Sequence, residues 1–128
     1  MPYQGVIIEE SLVDKGILAG LEITKTEVEK TTERDETPWL DKWTLHYVTV
    51  ADGEMEDLIK RVAANLETAH TNWYADFKNE STHYFAFSGG KILKVNRREW
   101  ADYEAVKAYG ISQDIPAHQL NFENDLVK

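Results

Sequence analysis

The chain has 128 residues, 42% of them hydrophobic and 29% charged, which suits one compact domain with its own core rather than a disordered segment. Fourteen Lys and Arg against 23 Asp and Glu leave a net charge of −9, which repels phosphate backbones and argues against a nucleic-acid partner. The absence of cysteine excludes thiolate chemistry and sulfur-ligated zinc, and no run reaches the ~18 apolar residues of a membrane span.

Val6, Ile7 and Ile8 form a short β-branched run that predicts a first strand before Glu9 and Glu10. After a loop containing Asp14, Gly16 and Gly20, residues 21–32 alternate β-branched and charged side chains and read as a second strand. Its apolar positions change parity, Leu21 and Ile23 odd but Val28 even, so a bulge or twist is expected near Lys25 and Thr26. Residues 33–38 make a polar loop ended by Pro38, and residues 43–50 make a third strand with Trp43, Leu45 and Tyr47 on one face and His46, Val48 and Val50 on the other.

From Glu54 the period becomes helical. Met55, Leu58, Ile59, Val62, Ala63 and Leu66 form one apolar stripe, with Asp52 as the expected N-cap and Asp57 with Arg61 paired on the outer face. Residues 73–77 are an aromatic strand bounded by the turn chemistry of residues 78–81. Gly89-Gly90 between residues 82–88 and 91–96 predicts a two-residue hairpin in which Phe87 faces Ile92 and Ala86 faces Leu93. Asn96 and Glu99 form a capping-box pattern opening a second helix through Trp100, Tyr103, Ala105 and Val106, which Gly110 either ends or interrupts before Asp114-Ile115-Pro116 stops it. Leu120 and Phe122 are expected to dock the tail, with fraying from about residue 123.

The order β-β-β-α-β-β-β-α implies a single α+β domain over residues 1–128, a two-layer sandwich with a mostly antiparallel sheet and both helices on one face. The start Met1-Pro2-Tyr3-Gln4-Gly5 lacks the basic and apolar regions of a signal peptide, so a cytoplasmic location is expected.

No catalytic or cofactor motif is present. The four histidines, 46, 70, 83 and 118, show no metal-clip spacing, and His70 suits the C-terminal end of a helix. A metal would need scattered donors such as His46, His83, Asp76 and Glu80, so no metal and no cofactor are expected. Asp76 is the residue of most interest, because a carboxylate inside an aromatic strand is either solvated or held by a partner. Four Trp and six Tyr are a heavy aromatic load that serves either core filling or a ligand surface.

Trp73-Tyr74-Ala75-Asp76-Phe77, a following hairpin, and a helix closing in Ile115-Pro116-Ala117-His118-Gln119-Leu120 resemble the pattern of a family of small prokaryotic proteins of unknown function. The resemblance covers roughly residues 40–122. It supports the fold and implies no substrate or partner.

The first expectation is a non-enzymatic accessory or binding domain that self-associates, or takes a protein partner, through a sheet edge or aromatic patch. Its rival is a small-molecule pocket, or a small enzyme, between the sheet and the second helix. There Asp76, His83 and Tyr74 would be the polar groups and Trp43, Trp73 and Phe85 the walls.

Overall fold

The computed structural model describes residues 2–30, 42–68 and 73–127; the loop expected at 33–38, and His70, lie outside them. The strands are β1 (Tyr3–Ile8), β2 (Glu22–Lys30), β3 (Lys42–Val50), β4 (Tyr74–Lys78), β5 (Thr82–Phe87) and β6 (Lys91–Asn96). Helix α1 (Met55–Asn65) follows β3 and α2 (Trp100–Ser112) follows β6, and short 3-10 turns include Ala117–Gln119 and Glu123–Asp125. The class is α+β in the expected element order. All pairings are antiparallel, and the sheet runs β2-β3-β1-β4-β5-β6. No helix among the described residues is long and apolar enough to cross a membrane.

The parity change in β2 is a bulge. Register shifts between Ile23 and Lys25, so Ile23 opposes Val48 and Val28 opposes Thr44, two positions on one face of β3. The stripe of α1 is buried as its spacing requires, from Met55 to Ala63, and Arg61 Nε meets Asp57 Oδ2 at 3.0 Å. Asp52 is not the cap: it opens a 3-10 turn over Asp52–Glu54, so α1 starts after Glu54 with no side-chain cap.

The hairpin register differs by one residue from the expectation. Phe87 opposes Lys91, Ala86 opposes Ile92 and Phe85 opposes Leu93. The loop has three residues because Ser88 stays with β4, its backbone N–H donating to Trp73 O and its hydroxyl accepting from Trp73 N at 2.7 Å. Gly89 and Gly90 then make the turn at φ of 88° and 86°. A slip of one residue exchanges the faces of every pair, so this turn decides which side chains share a core.

The helices lie on opposite faces of the sheet, not on one. Met55, Leu58 and Val62 of α1 pack with Ile7, Phe77, Tyr84 and Ala86, whereas Tyr103 and Val106 of α2 pack with Phe85, Phe87 and Val95. The reason lies in β5, which is buried from His83 to Phe87 on both faces, as a strand covered on two sides must be.

Nor does the capping box form. Glu99 takes the N-cap position of α2 without a side-chain bond, while Asn96 Oδ1 accepts from Arg98 N and Asp102 Oδ2 accepts from Asn96 N. Gly110 is carried inside α2, and a Cβ there would sit 2.8 Å from both methyl carbons of Leu120. Asp114 turns the chain back at φ 63°, and Leu120 and Phe122 enter the second core. Beyond them Arg97 Nε donates to Asp125 O, and Val127 N donates to Arg97 O at 2.7 Å.

Candidate functional site

On the α2 face, the helix covers β5 and β6 and the chain after it lies over β4, leaving a cleft of about 240 Å³ above β1 and β3. Val6 and Ile8 of β1 and Leu45 of β3 form its floor. Trp43, Trp73 and Tyr74 line it, the two indoles meeting edge to face with ring centres 5.6 Å apart. Ile115 and Gln119 close the opposite side, so the cleft lies beside the tail rather than beneath the second helix. Asp76 is the charged residue on its lining among the described residues.

Asp76 reaches the cleft because β4 alternates. Trp73, Ala75 and Phe77 are buried, Ala75 and Phe77 against α1, while Tyr74 and Asp76 turn to the other face. Pairing with β5 places Asp76 opposite Phe85 and Lys78 opposite His83, so His83 is the diagonal neighbour of Asp76. His83 is fully buried, and its Nε2 lies 2.7 Å from Asp76 Oδ2. Its Nδ1 lies 2.9 Å from the Tyr103 hydroxyl, which is also 3.3 Å from the carbonyl oxygen of Asp125.

Hydrogen-bond chemistry assigns the protons along this chain. An ionised carboxylate only accepts, so Nε2 carries the hydrogen, and a neutral ring then accepts the Tyr103 hydroxyl at Nδ1. If the ring gains a proton, Nδ1 donates to Tyr103 and the hydroxyl turns to Asp125 O, leaving no buried group unpartnered. Asp76 is thereby held from behind through Oδ2. Its Oδ1 has no hydrogen bond among the described residues, and the side chain stays about one third exposed at 32%.

The surroundings are equally well tied. Tyr74 donates to Gln119 O, and burial, reinforced by the Asp76 and Asp125 carboxylates, keeps its phenol well above the usual tyrosine range and hence neutral. Burial also raises the Tyr103 phenol, against the opposing pull of Arg97. Lys78 Nζ meets Asp125 Oδ1 at 2.5 Å, and Arg97 binds Asn79 O as well as Asp125 O. These bonds fasten the tail beside β4.

Of the residues singled out from the sequence, Asp76, Tyr74, Trp43 and Trp73 converge on the cleft. His83 does not line it but stands behind Asp76, because the register of β5 carries it under α2. Phe85 is not a wall. It is fully buried in the second core and stacks on His83 with ring centres 4.2 Å apart. The scattered metal donors are not assembled: His46 lies on the other face, bound to Thr26 Oγ1 and Glu9 Oε1, and Glu80 is exposed in a turn. No group of three or more metal-ligating side chains gathers among the described residues.

Sequence reasoning missed Tyr103 and Asp125 as partners of the pair, and Ile115 and Gln119 as a wall. Tyr103 carried a signal, its place on the inner stripe of the second helix; Asp125 and Gln119 carried none.

Comparison with protein-family models, curated proteins and solved structures finds no match to this chain.

Proposed function

We propose that the chain is a small-molecule-binding domain whose ligand occupies the cleft between Trp43, Trp73 and Tyr74 and is held by Asp76. The observation that carries this reading is the Asp76 carboxylate, fixed at 2.7 Å by a fully buried histidine through Oδ2 yet on the lining of an aromatic cleft, with Oδ1 making no hydrogen bond among the described residues. A carboxylate so placed is pre-organised for a ligand that donates to it, and little ordering entropy remains to be lost on binding. Binding is favoured over catalysis because His83 lies behind Asp76, out of reach of anything in the cleft, so it cannot exchange a proton directly with a ligand.

Self-association is the second reading. It is favoured by β2, an edge strand nearly exposed along its length, with Val28 61% exposed. Against it stand Lys25, Glu27, Glu29 and Lys30, the charged side chains that discourage edge-to-edge pairing. Native mass spectrometry of gently purified protein separates the two. A monomer retaining a small molecule that an Asp76→Asn variant loses supports the cleft. An oligomer without any adduct supports the edge.

A further inference from the structure

We propose that the ligand of this cleft is a small organic ammonium ion, seated against the aromatic rings of Trp43, Trp73 and Tyr74 with its charge on the open oxygen of Asp76. This rests on the cleft being a ligand site and adds the chemistry of what enters it. Among the described residues the lining carries one charge, and that charge is negative. Lys78, on the same strand, is held by Asp125, and Lys25 is paired with Glu27, so neither offers a free counter-charge to an anion.

His83 engages Asp76 through Oδ2, and Oδ1 has no hydrogen bond among the described residues, so that oxygen is left to accept from a donor in the cleft. The net charge of −9 over the chain raises the local concentration of cations and repels anions. An inorganic divalent cation fits poorly, since calcium and magnesium take six or more oxygen ligands and the lining offers one carboxylate among the described residues. Aromatic rings beside a carboxylate match an organic cation instead: the rings attract the charge through their faces and pack against its carbon atoms. The cleft, about 240 Å³, lies below the ~300–1,000 Å³ of drug-sized pockets, so the fitting ligand is a headgroup with a short apolar body.

The test uses the full chain and three probes of one shape, benzylammonium, benzyl alcohol and benzoate, titrated by calorimetry with the indole N–H resonances of Trp43 and Trp73 followed by NMR. The expected result is saturable binding of benzylammonium, about tenfold weaker binding of benzyl alcohol, and weaker binding still of benzoate. Asp76→Asn should erase the difference between the first two probes, with circular dichroism confirming its fold. Trp43→Leu, which leaves the carboxylate and its partners in place, should weaken benzylammonium more than benzyl alcohol. Benzyl alcohol or benzoate binding as tightly as benzylammonium, with both indoles responding, would overturn the ammonium assignment and leave the cleft as a ligand site. No response to any of the three would overturn the cleft itself, and the assignment with it.

Discussion

His83 Nε2 and Asp76 Oδ2 are 2.7 Å apart, the histidine fully buried and the aspartate one third exposed, so one hydrogen bond joins the second core to the open cleft. The histidine anchors, and the carboxylate is presented. His83→Ala should therefore cost on the order of 3 kcal/mol, from the cavity and from the loss of a hydrogen bond to a charged group. Urea denaturation would measure the loss. A change below about 0.5 kcal/mol, the range of ordinary surface substitutions, would mean the bond contributes nothing.

Tyr103→Phe keeps the ring in the second core and removes only the hydroxyl between His83 Nδ1 and Asp125 O. It should cost about 1–2 kcal/mol, because a buried ring nitrogen is left without its partner. In a double-mutant cycle with His83→Ala, the Tyr103 loss should shrink once the imidazole is gone, leaving only what the bond to Asp125 O contributes. Full additivity of the two losses would show that the two side chains are not coupled.

Two glycines with different surroundings should respond to alanine very differently, one with a large loss and one with almost no change. A Cβ on Gly5 would meet the Phe77 ring and lie 2.6 Å from the backbone oxygen of Asp76, so Gly5→Ala should cost about 3 kcal/mol and disturb β4 where it carries the site. Gly20 has nothing within 4 Å, and Gly20→Ala should change stability by no more than about 0.5 kcal/mol. Thermal melts of the pair would check both expectations at once.

Alkaline pH should destabilise the fold through Tyr74. Its folded-state pKa is raised by burial first and then by the Asp76 and Asp125 carboxylates, whereas an unfolded tyrosine loses its proton near pH ~10. Below that pH both states keep the proton and the contribution is complete. Above it the unfolded chain releases a proton that the folded chain holds, so stability falls as the pH rises toward the folded-state pKa. Tyr74→Phe should show a shallower decline in urea midpoint between about pH 8 and about pH 11 than the parent protein. Parallel curves would exclude Tyr74 as the source.

Gly110→Ala sets helix propensity against packing. Alanine favours a helix interior by about 1 kcal/mol, but its Cβ would lie 2.8 Å from both methyl carbons of fully buried Leu120. Overpacking of about 1–3 kcal/mol should win, leaving a net loss and pushing the tail that bears Gln119 away from the cleft. A stabilised variant would show that Leu120 moves aside freely.

The local features of this protein were legible in its sequence because they depend on residues a few positions apart. The stripe from Met55 to Ala63, the parity change between Ile23 and Val28, and the paired glycines at 89 and 90 each report a backbone period or a φ value. So does the placing of Tyr74 and Asp76 on the face opposite Ala75 and Phe77, which follows from alternation within an aromatic strand. What tertiary structure alone decided depends on segments distant in the chain. The hydroxyl of Ser88 bound to Trp73 moved the hairpin register by one residue, and two-sided burial of β5 sent α1 and α2 to opposite faces. The docking of residues 115–125 supplied a wall of the cleft and, through Asp125, a partner for Tyr103. Periodicity states that a side chain is to be buried or exposed, and packing between remote elements selects what it meets there.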